Sequence, residues 1–181
     1  MKKLILSAII VLAIGTGAFA QSSSYKAFKV DLGFLYGLPV GSDYYSGGVG
    51  FYLEPKYNIS DNIALGLRLE WAILAAADAL GENASISALS SYLLTGDYYL
   101  GSSSVRPYVG AGIGLYGTEV YEVVNSEFRA EKANKFGFAP RVGLLLGHFR
   151  TGLEYNLVTG TEGQANYLAL KIGAEIGGGR K

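Results

Sequence analysis

In eight stretches between residues 28 and 176, hydrophobic side chains recur at every second position. This period of two restricts the fold more than any other property of the chain. Phe28, Val30, Leu32, Phe34, Tyr36 and Leu38 share one parity, with Lys29, Asp31, Gly33 and Gly37 on the other. Val49, Phe51, Leu53, Tyr57 and Ile59 oppose Gly50, Tyr52, Glu54, Lys56 and Asn58, and Ile63, Leu65, Leu67, Leu69 and Trp71 oppose Ala64, Gly66, Arg68 and Glu70. Val109, Ala111, Ile113 and Leu115 alternate with glycines, Phe138, Val142, Leu144 and Leu146 alternate with Arg141 and Gly143, and Leu153, Tyr155 and Leu157 follow Phe149 and Thr151 against Arg150 and Glu154. Leu168, Leu170, Ile172, Ala174 and Ile176 close the series against Lys171, Gly173 and Glu175. A strand turns successive side chains to opposite faces, whereas a helix would scatter this spacing around its circumference. Residues 72–94 are rich in Ala, Leu and Ser and read as helix on propensity. Tyr92, Leu94, Tyr98 and Leu100 nevertheless share a parity that Thr95 and Asp97 do not, so 85–100 reads as the fourth strand.

The connections alternate in length. Ser60-Asp61-Asn62, 101–104 and Gly147-His148 are tight turns, whereas 39–47, 74–84, 117–135 and 159–166 are longer. Short turns at one rim and long loops at the other describe an all-β, eight-stranded antiparallel up-and-down meander that closes on itself.

Residues 1–20 read as a secretory signal peptide: Lys2 and Lys3, an apolar run from Leu4 to Ile14, then Ala18-Phe19-Ala20, with cleavage expected after Ala20. The run is shorter than the roughly 20 residues a spanning helix needs. Residues 21–181 form one domain. The whole chain balances 15 basic against 15 acidic residues, and no basic cluster offers a grip on a phosphate backbone, so nucleic acid is not an expected partner. The absence of Cys excludes disulfides, thiolate metal sites and a lipidated cysteine, and a single His excludes a histidine-rich metal site. No metal or cofactor is expected.

Charge decides which face meets which solvent. The polar parity carries Lys29, Lys56, Arg68, Arg141, Arg150 and Lys171 against Asp31, Glu54, Glu70, Asp97, Glu154 and Glu175, six of each sign. Turned toward lipid, each Arg or Lys near the midplane would cost about 2–4 kcal/mol, and the sum would exceed a typical domain stability of about 5–15 kcal/mol. Turned inward, the charges can pair. Lys29 with Asp31, Glu54 with Lys56 and Arg68 with Glu70 are same-strand neighbours whose spacing supports pairing. The alternative is a soluble barrel with its apolar face inside, as in lipocalin-like proteins. Two features favour the membrane. Aromatics gather near strand ends, Phe28, Tyr57, Tyr98 and Phe149 toward the short turns and Tyr36, Phe51, Trp71, Phe138 and Tyr155 toward the long loops, as interfacial girdles do. Phe28 to Tyr36 also spans about 27 Å of strand, or about 20 Å of height after tilting.

With these features in place, Arg106-Pro107-Tyr108-Val109-Gly110-Ala111-Gly112-Ile113-Gly114-Leu115 resembles the Pro-Tyr-Val-Gly-Ala-Gly strand common in small bacterial outer-membrane β-barrels, the OmpX, OmpA transmembrane-domain and OmpW groups among them. Phe138-Ala139-Pro140-Arg141-Val142-Gly143 is similar to the strand that follows it. Barrels of this type end in an aromatic residue, whereas this chain runs on from Ile176 to Lys181, as a short periplasmic tail would. The resemblance implies a bacterial outer-membrane location, lipid as the surrounding partner, and a monomer. It also leaves three activities open: a non-enzymatic structural or surface-contact role through the long loops, where any extracellular ligand or partner would meet the chain; a narrow OmpW-like, porin-like conduit for small apolar molecules; and a lipid-modifying enzyme.

Candidate chemistry is sparse. Gly110, Gly112 and Gly114 alternate within one strand, unlike a phosphate-binding loop that leads into a helix. His148 sits in a turn with no Ser and carboxylate constellation evident around it, so a catalytic role is not expected. Eight strands leave an interior just wide enough for side chains, so the twelve charges are expected to fill it. Residues 118–135 are expected to be a solvated loop, with a strand-like hairpin above the membrane as the alternative.

Overall fold

The computed structural model describes residues 24–41, 45–76, 85–124, 127–159 and 166–179. The expected signal segment and its cleavage site lie outside the described residues, as do parts of all four long connections.

Eight strands follow in chain order: β1 (Phe28–Pro39), β2 (Tyr45–Asn58), β3 (Ile63–Ala76), β4 (Ser85–Tyr99), β5 (Val105–Val124), β6 (Glu127–Leu146), β7 (Phe149–Val158) and β8 (Tyr167–Gly177). Each pairs antiparallel with the next, and β1 pairs with β8, so the sheet closes without an edge. The stretch with mixed propensity is strand β4. Its pairing with both neighbours, which buries Leu93, Thr95 and Asp97 and exposes Tyr92, Leu94 and Tyr98, overrides the helix preference of its Ala and Leu residues.

The parity separates two environments. Leu67 (50% exposed), Val109 (48%) and Leu170 (48%) stand on the outer wall, whereas Arg68 is fully buried beside Leu67. A contiguous apolar wall of this extent is far larger than a water-soluble monomer exposes, and lipid is the solvent that suits it.

Inside, glycines make room for large rings. A Cβ on Gly137 would lie 2.5 Å from the Tyr116 ring, and one on Gly173 would lie 2.6 Å from the Tyr52 hydroxyl. Gly112 in β5 faces Leu93 at 3.2 Å in the same way. At the tightest turn, Gly147 adopts φ 62°, the left-handed region that a two-residue hairpin connection favours. Besides a register shift between Tyr45 and Gly47, the ladder has two gaps: β2–β3 pairing stops at Leu53 and resumes at Lys56, and β6–β7 pairing skips from Phe138 to Arg141. Pro55 and Pro140, which carry no amide hydrogen to donate, lie in these gaps.

One expectation is corrected. Residues 117–135 are not a solvated loop: β5 and β6 remain paired from Gly117↔Asn134 to Val124↔Glu127. On the β6 side, pairing with β7 goes no further than Gly137↔Val158, whereas on the β5 side β4 follows as far as Ser85↔Glu122, so the extension is a three-stranded flap with β6 as its free edge. Alternation of Val, Tyr and Phe with charged residues in this stretch satisfies a ladder as well as it satisfies a loop.

Candidate functional site

All twelve charges expected on the inner face are there, none more than 8% exposed. They form two clusters stacked along the barrel. Asp97 is the hub of the cluster nearer the short turns: its carboxylate accepts from Lys56 Nζ at 2.7 Å, Arg150 Nη2 at 2.8 Å and Arg141 Nε at 2.8 Å. Asp31 accepts from Lys56 at 2.5 Å and lies 3.3 Å from Arg150. Glu54 takes the Arg141 fork through both oxygens, at 2.7 and 3.0 Å, and a hydrogen bond from Thr95 at 2.6 Å. Lys29 is 2.9 Å from Glu175 and donates to the Tyr99 hydroxyl at 3.0 Å.

In the second cluster, Arg68 bonds Glu154, and Lys171 bonds both Glu70 and, at 2.9 Å, Glu154. Tyr167 donates to Glu70 at 2.9 Å. The clusters meet where Arg141 Nη1 lies 3.9 Å from Glu154. Beside that junction is a void of about 10 Å³ among Tyr52, Tyr108, Arg141, Arg150 and Lys171, room for about one water. The Glu54–Arg141 pair joins β2 to β6, and Arg68–Glu154 joins β3 to β7. Strands four apart in a ring of eight are opposite walls, so both pairs cross the axis.

The same-strand pairing inferred from spacing is corrected for Lys29 and Asp31. Lys29 turns to Glu175 on β8, and Asp31 turns to Lys56 on β2. Successive inward side chains on one strand are stacked along the axis, while a cross-strand partner lies at similar distance and faces the same interior. Glu54 with Lys56 and Arg68 with Glu70 do approach, each to 3.5 Å, and these are the longer contacts of those groups.

The polar parity holds Tyr52 and Tyr108, and the count of charges passed over the rest of a second inward set. Tyr52, Tyr99, Tyr108, Tyr116 and Tyr167 are all buried, as is Arg106. The Arg106 guanidinium lies 4.2 and 4.5 Å from the ring centres of Tyr25 and Tyr99, and Arg150 sits 3.7 Å from the centre of Tyr108. Parity was the signal available: each of these tyrosines in a strand shares the parity of the inward glycines and charges.

The nine aromatic residues expected in girdles all lie on the outer parity. Phe28, Tyr36, Phe51, Tyr98, Phe138 and Phe149 are exposed, and Tyr57, Trp71 and Tyr155 are half-buried. Phe28 opposes Tyr57 at the short-turn end, and Phe51 stacks on Trp71 at 5.1 Å. Tyr92 adds an edge contact to Trp71 at 6.4 Å.

At the short-turn rim, Ser102, Ser103, Ser104, His148 and Glu175 line one cleft, a meeting that the spacing did not reveal. It does not make a catalytic triad. His148 Nδ1 bonds the main-chain carbonyl of Glu175 at 2.9 Å, and the Glu175 carboxylate turns away to Lys29. Among the described residues no group of His, Asp and Glu is arranged to hold a metal.

No family model matches the sequence, and no curated protein matches it. Solved structures do. The crystal structure of Neisserial surface protein A superposes with a TM-score of 0.61 at 15% identity, covering 84% of this chain and 98% of that one. The N-terminal β-barrel domain of Pseudomonas aeruginosa OprF gives 0.50 at 18% identity, covering 84% and 99%. The chain therefore has the fold of the small eight-stranded outer-membrane β-barrels.

Proposed function

We propose that this protein is a monomeric, non-enzymatic barrel of the bacterial outer membrane, made with a cleaved signal peptide, whose lumen is a structural plug and whose work is done at the long-loop rim. The observation that carries the reading is the pair of cross-axis contacts, Glu54–Arg141 and Arg68–Glu154, inside an apolar outer wall. Ion pairs that join opposite walls close the path they span. The apolar-conduit alternative needs an axis that apolar groups line throughout; Leu35, Leu93 and Val158 do face inward, but the cross-axis ion pairs interrupt any apolar path.

A rigid, filled body confines variable chemistry to its loops. The β5–β6 hairpin extends this chemistry outward, so the protein supports the envelope or contacts external surfaces through this hairpin and the connections beside it. Two measurements on one preparation test the proposal. Fractionation should place the protein in the outer membrane with heat-modifiable gel mobility, and planar bilayers should show no unitary conductance. A soluble periplasmic species overturns the location, and stable single-channel currents or uptake of apolar solutes overturn the plug.

A further inference from the structure

We propose that the cleft at the short-turn rim binds the free carboxyl terminus of a peptide, with Arg106 holding the carboxylate and His148 accepting the adjacent N–H. The cleft has a volume of about 220 Å³ and is walled by Tyr25, Arg106, His148 and the serine turn 102–104. It lies at the opposite end of the barrel from the long loops and does not depend on the role assigned to them.

Arg106 carries the argument. It is 6% exposed, yet among the described residues its guanidinium meets no carboxylate. The six other inward cations all do, and with Arg106 included they exceed the six inward anions by one. Its Nε donates to the Gly101 carbonyl at 3.4 Å and its Nη2 to the Asp61 carbonyl at 2.5 Å. That leaves Nη1 without a partner among the described residues, on a side chain that lines the cleft. The rings of Tyr25 and Tyr99 lie 4.2 and 4.5 Å from the guanidinium, and these two contacts hold the donor in place before a ligand arrives. A buried guanidinium lacking a counter-ion is a costly arrangement that an incoming carboxylate relieves.

His148 supplies the second requirement. A carbonyl oxygen only accepts, so the contact to the Glu175 carbonyl places a proton on Nδ1, and in the Nδ1–H tautomer Nε2 is an acceptor. Arg106 and His148 line the same cleft, and an anion beside an N–H donor is the chemistry of a peptide's last residue. The volume, below the roughly 300–1,000 Å³ of sites for drug-sized molecules, suits one or two residues.

The test is an NMR titration of the refolded full-length mature chain in micelles with N-acetyl-alanyl-alanine, its C-terminal amide, acetate and inorganic phosphate. The free-acid dipeptide should give saturable shifts at Gly147, His148 and Glu175 and at the Arg106 Nε–H, with the amide at least tenfold weaker. Arg106→Gln should abolish the response. His148→Ala, a change in an exposed turn that leaves the barrel intact, should weaken the dipeptide several-fold while leaving acetate unchanged. Equal binding of acid and amide, acetate or phosphate matching the dipeptide, or an unaltered response in His148→Ala each overturns the proposal.

Discussion

Removing the Asp97 carboxylate is the sharpest perturbation of the lumen, because three cations converge on it at 2.7–2.8 Å. In Asp97→Ala each keeps another partner: Lys56 keeps Asp31, Arg141 keeps the two-oxygen contact with Glu54, and Arg150 keeps Asp31 at 3.3 Å and the Tyr99 hydroxyl at 2.8 Å. The loss is therefore one net charge in a sealed interior rather than three orphaned cations. Breaking a buried pair by deleting one partner costs about 3–5 kcal/mol, and Asp97→Ala should fall in that range. Lys56→Met in the same chain restores the native charge balance and should recover roughly half of the loss, since pairs in one network couple by about 0.5–3 kcal/mol. The assay is urea unfolding in lipid vesicles, followed by the fluorescence of Trp71, the only tryptophan, with heat-modifiable mobility as the second probe. A cost below about 1 kcal/mol for Asp97→Ala, in a lumen with this many alternative partners, would refute the reasoning. So would a double variant no more stable than the single one.

Gly137→Ala drives a methyl to 2.5 Å from the Tyr116 ring and should destabilise by about 1–3 kcal/mol through overpacking; the same unfolding assay measures it. Leu67→Arg on the outer wall should cost about 2–4 kcal/mol if that position faces the bilayer core, and an effect within 0.5 kcal/mol would deny the lipid contact. If Phe51, Trp71 and Tyr92 form part of an interfacial girdle, lipids brominated near the headgroup should quench Trp71 more strongly than lipids brominated near the chain end. Quenching in the reverse order would place the cluster at the midplane.

The side-chain period alone made the two walls legible, and with them the strand count, because a one-residue slip anywhere would exchange Leu67 with Arg68. Partnership was not legible. Whether Lys29 meets Asp31 or Glu175 depends on the β1–β8 register, which places Asp31 opposite Glu175 and brings Lys29 alongside. That register is set by closure and appears in no single strand. The inward tyrosines were obscured by chemistry, since a phenol suits both a membrane interface and a polar lumen. Their parity, and the glycines facing Tyr52, Tyr108 and Tyr116 across the sheet, tell them apart from outward Tyr36 or Tyr98. The β5–β6 extension was ambiguous for a related reason: charged residues alternating with Val, Tyr and Phe fit an exposed ladder and a solvated loop equally. The cleft around Arg106 gathers Tyr25, the 102–104 turn and His148 from distant parts of the sequence, and only the closed barrel brings them together.

The chain contains no native cysteine, so single nitroxide labels report one position without background. Labels at Leu67, Val109 and Leu170, in protein reconstituted into bilayers, test which way the apolar parity faces. Easy collision with dissolved oxygen, together with exclusion of a water-soluble nickel chelate at all three positions, is the result this account predicts. Labels shielded from both reagents, as in a core packed around the axis, would contradict it.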